Sequence, residues 1–94
     1  SYPTPERERD ILMARVPELP AKLADEIARV ARSVRSMDLK KSPSVSETID
    51  WARTLLALGV ENVDSAVLDD TLHVLLKYQT DLEIARRELV DASA

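Results

Sequence analysis

Between Lys40 and Gly59 the chain spells out the start, body and stop of one helix, KKSPSVSETIDWARTLLALG. Ser44 precedes Glu47 by three residues. At that spacing the serine hydroxyl accepts from the N–H of residue 47, and the glutamate accepts from the N–H of Ser44. Pro43 biases Ser42 away from helical geometry, so the chain arrives extended. Ile49, Ala52 and Leu56 then recur on one side, with Trp51, Leu55 and Leu58 beside them. Gly59 supplies the left-handed residue that commonly closes a helix. A helix apolar over so broad a face belongs in the middle of a domain, with other helices around it.

The rest of the composition agrees with an all-α fold. One glycine and no phenylalanine in 94 residues argue against a small β-sandwich. Hydrophobic residues at 45% and charged ones at 32% describe an ordinary folded domain, not a disordered tail. At this size a single domain over residues 1–94 buries roughly 60–70% of its unfolded surface, enough for a core without covalent staples. The lack of cysteine removes disulfides and thiolate chemistry and points to a cytoplasmic location. No apolar run approaches the roughly 20 residues of a membrane span, and no signal peptide is visible. The chain begins at Ser1 without an initiator methionine, and we read it as a piece of a longer protein. A net charge of −4 disfavours binding to phosphate backbones.

Taken in order, Ser1–Pro5 is an extended lead-in, with Thr4 as cap and Pro5 at the tolerant first position of a helix over about 5–16. That helix is charged at its start and apolar at its end, so only Ile11, Leu12 and Val16 call for deep burial. A second helix over about 20–36 carries Leu23, Ile27, Val30 and Val34 at steps of four, three and four, with Asp25 placed to support Arg29. The capped third helix follows. Asp64 caps a fourth over about 65–78, with Leu68, Leu72 and Leu75 as one seam and Val67, Val74 and Tyr78 as another. Thr80 and Glu83 repeat the capping-box spacing, which predicts a break near Gln79 and a fifth helix over about 81–91, striped by Leu82, Ala85 and Leu89. One continuous helix through Gln79 is the competing expectation. The helices of Trp51 and Leu72 are expected at the centre of this bundle of about five.

Little in this chain promises chemistry. His73 is the only histidine, and with no cysteine it cannot assemble the three or so ligands of a metal site. No Gly-x-Ser-x-Gly elbow accompanies the serines, and a single glycine rules out a phosphate-binding P-loop. The carboxylates Asp25/Glu26, Asp69/Asp70 and the run through Glu6, Glu8 and Asp10 fall on expected wet faces and read as surface charge. Arg29, Arg32 and Arg35, three residues apart and followed by Lys40 and Lys41, form a basic strip that could meet a phosphate, a nucleic acid or an acidic partner surface, or simply be solvated. Helices three and four resemble a helix-turn-helix only in outline, because Asp69 and Asp70 stand where DNA contacts would form. Trp51 is expected in the core, with a partner for its indole N–H.

The succession YPTPERERDILMARVPELP, KKSPSVSETIDWARTLLALG and VLDDTLHVLLKY resembles the C-terminal helical lid of MoxR-type AAA+ ATPases, in the branch associated with maturation of molybdenum-containing carbon monoxide dehydrogenase. The resemblance covers nearly the whole chain, and Ser42–Arg53 is its most distinctive part. It implies a lid, not itself an enzyme, that closes over ATP and Mg²⁺ held by an α/β core of the same chain. It also implies contact with neighbouring subunits of a hexameric ring and service to a client protein in chaperone-like remodelling. No nucleic acid partner is implied. Ile11 and Leu12 are the nearest counterparts of positions that border the adenine. Ser46 stands where the family often carries an arginine that senses the γ-phosphate, so that chemistry does not carry over. A severed lid is further expected to leave an apolar flank bare. The reading of a different class is a free-standing helical adaptor that uses the Arg29 strip and an apolar groove.

Overall fold

All five helices of the computed structural model, which describes residues 1–91, begin just after a residue in extended geometry. They are α1 (Pro5–Arg15), α2 (Ala21–Arg35), α3 (Val45–Ala57), α4 (Ser65–Leu75) and α5 (Gln79–Leu89). Three starts use the side chains that the sequence singles out. Thr4 Oγ1 accepts from Arg7 N–H at 3.2 Å, and Asp64 Oδ1 from Val67 N–H at 2.9 Å. The Ser44–Glu47 box is complete, with Ser44 N–H donating to Glu47 Oε1 at 2.8 Å and Glu47 N–H to Ser44 Oγ at 3.2 Å. At the other end of α3, Gly59 adopts a φ of +72°. Its N–H reaches Leu56 O and that of Val60 reaches Leu55 O, which together satisfy carbonyls that the helix end would leave bare.

The α4–α5 junction departs from expectation in detail. The chain does break, but at Leu76, whose φ of −118° and ψ of 127° are extended. Tyr78 then precedes α5 without a side-chain cap. Thr80 and Glu83 therefore do not form a box. The third residue of α5 is Asp81, and its carboxylate is drawn elsewhere: Oδ1 accepts from Lys40 N–H at 2.9 Å and Oδ2 from Lys41 N–H at 3.1 Å. Two amides of the α2–α3 loop outcompete a local cap.

The longest packed seam runs between α1 and α2; α3 touches α1, α2 and α4, and α5 lies on α4. The core draws Leu12, Leu23, Ile27, Ala28, Val34, Trp51, Ala52, Leu55, Leu72 and Leu75 together from four helices, with Leu82 and Ala85 of α5 joining it. Trp51 is fully enclosed, and its indole N–H meets Thr71 Oγ1 at 2.9 Å. Leu58, expected beside the apolar face, caps α3 instead and is 63% exposed.

Accessible surface totals 5424 Å², close to the roughly 5400 Å² that a folded monomer of this mass exposes. Among the described residues the exposed large apolar side chains are Tyr2, Met13, Leu58 and Tyr78, from four separate segments, and others such as Leu56, Val60, Val63 and Val67 are only partly buried against the core.

Candidate functional site

The lead-in and the end of α2 face each other across an open cleft of about 380 Å³, with Tyr2–Pro5 on one wall and Arg32, Arg35 and Ser36 on the other. Arg35, the last residue of α2, is also the centre of a polar knot.

Pro5, Glu8 and Leu12 follow one another at steps of three and four, so one face of α1 carries a carboxylate between two apolar residues; all three are buried. The Glu8 side chain is 1% exposed and that of Arg35 6%. Such a pair is tolerable only when desolvation is met by geometry. Here Arg35 Nη1 and Nη2 grip the two carboxylate oxygens at 2.5 and 2.8 Å, a bidentate fork. Nε donates to Pro43 O at 2.9 Å, and Nη2 also to Thr48 Oγ1 at 3.2 Å. The Thr48 hydroxyl in turn donates to Ser44 O at 3.0 Å. Above the guanidinium lies the Tyr2 ring, its centroid 4.2 Å from Cζ. One arginine thus touches the lead-in, α1, the α2–α3 loop and α3.

This corrects three expectations. Glu8 is no solvated surface charge, and α1 buries Pro5 and Glu8 near its start as well as Leu12. Nor do Arg29, Arg32 and Arg35 make an exposed strip of three. Arg29 is exposed and bonded to Asp25 at 2.9 Å. That hydrogen bond and the neighbouring charge of the same carboxylate raise its guanidinium's pKa. Arg32 is exposed on the cleft wall, and Arg35 is half-buried there, its side chain turned into the ion pair with Glu8. The pattern of Glu8 on the buried stripe of α1 was a usable signal. Its partner, 27 residues away, was not.

The remaining candidates are scattered. Leu12 is wholly enclosed in the core, Ile11 is partly buried against it, and Ser46 is exposed in the first turn of α3. Arg53 is exposed near Asp50, at 3.7 Å. His73, Asp69 and Asp70 lie on the outer face of α4, where Asp69 pairs with Arg86 of α5 at 3.1 Å. Among the described residues no three His, Asp or Glu side chains are placed to share a metal ion, and no helix is long and apolar enough to cross a membrane.

The electrostatics at the start of α3 favour an ionised Glu47. Partial burial pushes its pKa up, but the Ser44 N–H, the Lys41 ammonium at 3.1 Å and the Ser44 hydroxyl outweigh it and hold the carboxyl below its ordinary value. The loop carrying Lys41 is itself held by Asp81, so the first turn of α3 is braced from both sides. Comparison with models of known families, with curated proteins and with solved structures gives no match.

Proposed function

We propose that this domain is the helical lid of a MoxR-type AAA+ ATPase, acting on ATP and Mg²⁺ bound by an α/β core and moving against neighbouring subunits of a ring. The observation that carries the reading is the state of its most distinctive segment. Ser42–Arg53 forms a fully capped helix start whose first turn presents Ser46 to solvent. The N–H groups of Ser44 and Glu47 are already bonded within the capping box, so this N-terminus would offer a phosphate its positive dipole end and the remaining first-turn N–H groups. Arg35 fastens the same turn to the lead-in through which the chain would arrive from the core. In this role Ile11 keeps some surface for the adenine, whereas Leu12 serves the core.

With serine at position 46, no side-chain cation in that turn reaches for the γ-phosphate. A nucleotide shifts a lid only as far as it binds open and closed states differently. Closure would therefore rest on adenine contact, backbone dipoles and packing, with the domain moving as one rigid body. The test is small-angle scattering of the full-length protein with and without nucleotide. The reading requires a more closed particle with ATP; identical profiles sink it. The gene gives a second test. A frame extending roughly 200 residues upstream with GxxxxGK[ST] supports the lid, and a start codon beside Ser1 refutes it.

One observation favours a second reading, a free-standing adaptor domain. Among the described residues all five helices contribute to one core, and the exposed large apolar side chains are four: Tyr2, Met13, Leu58 and Tyr78. An adaptor would have to work through mixed surface such as Arg29, Arg32 and the cleft.

A further inference from the structure

We propose that Arg35 is a conformational relay, a positioning residue that makes the path of the lead-in and the first turn of α3 a single setting. The relay is a property of this domain and does not depend on the ATPase reading. Three observations converge on it. The Tyr2 ring, itself 49% exposed, has Arg35 Cζ 4.2 Å from its centroid, so this segment is held from beneath by a charge and not by a deep apolar pocket. The guanidinium cannot shift alone, because its donors are committed to three separate elements: Glu8 of α1, Pro43 O of the loop and Thr48 of α3. Thr48 in turn donates to the carbonyl of Ser44, the residue that caps α3. A planar fork transmits displacement where a flexible ammonium would absorb it.

The consequence is directional. Pulling Tyr2 away removes a cation–π contact and lets solvent reach Arg35, which weakens the grip on Pro43 and Thr48 and loosens the capped turn. The start of α4, capped by Asp64 with no part in this network, stays as it was.

Amide hydrogen exchange on the 94-residue chain tests the relay. Tyr2→Ala should reduce protection at Glu47 and Thr48 by about three- to tenfold, in keeping with the worth of a partly desolvated cation–π contact. Val67 and Leu68 should be unchanged, and Tyr2→Phe should behave as the unmodified chain. In a Glu8→Leu/Arg35→Met background, Tyr2→Ala should no longer affect α3. Arg35→Lys, which keeps the charge and loses the fork, gives the same comparison if that background does not fold. Unchanged protection at Glu47 and Thr48 would overturn the relay. So would an equal loss at Val67 and Leu68, which marks general destabilisation, or an effect that survives the loss of Arg35.

Discussion

The indole N–H of Trp51 donates to Thr71 Oγ1 at 2.9 Å, and Thr71 donates onward to the carbonyl of Val67 at 2.7 Å, so one hydroxyl joins α3 to α4 inside the core. Thr71→Val keeps the shape and leaves the indole N–H without an acceptor, a loss of about 1–3 kcal/mol. Urea unfolding should show a lower midpoint with an unchanged slope. An unshifted midpoint would mean that the bond adds nothing.

Glu8→Ala strands the Arg35 guanidinium in a site where it is 6% exposed. Removing one partner of a buried pair costs about 3–5 kcal/mol, a large share of the roughly 5–15 kcal/mol that stabilises a domain. Glu8→Leu/Arg35→Met should recover at least half of that loss. Thermal unfolding of the single and double variants decides the matter, and a double variant less stable than Glu8→Ala contradicts the desolvation argument.

Asp81 holds the amides of Lys40 and Lys41 with its two oxygens. Asp81→Asn leaves one acceptor for two donors and removes the charge, for about 1–3 kcal/mol. Exchange at the Lys40 and Lys41 amides should quicken by more than at the centre of α3. Equal acceleration everywhere would mean that the contact is not local.

Glu47 has a lowered pKa in the folded state. Its contribution is then complete above the unfolded carboxyl value of about 4.3 and disappears as pH falls through the folded one. Glu47→Gln should accordingly lower the thermal midpoint at pH 7, and the gap between variant and unmodified chain should shrink steadily below about pH 4. A gap that widens on acidification has the wrong sign for this account.

The parts legible from sequence were those written within one turn of chain. Thr4, Ser44, Asp64 and Gly59 act on neighbours three or four residues away, and each does what its spacing predicts. The stripes of α2 and α3 were equally plain because burial follows the helical period. Ties across long separations were opaque: Glu8 to Arg35, Asp81 to Lys40, Trp51 to Thr71 and the Glu26 carboxylate to Val63 N–H at 2.7 Å. The Thr80–Glu83 spacing failed for a related reason. The helix began earlier, after the extended turn at Leu76, and a distant loop claimed Asp81. The candidate site fared worst, because Arg35 looks like Arg29 and Arg32 until α1 is packed against α2.

The Asp81 clasp and the Arg35 knot differ in what they ask of heredity. Asp81 reads main-chain amides, so its clasp tolerates any residue but proline at positions 40 and 41, although the Lys41 side chain is separately tied to Glu47. Glu8 and Arg35 read each other's side chains, and descendants of this chain can alter one only by altering both.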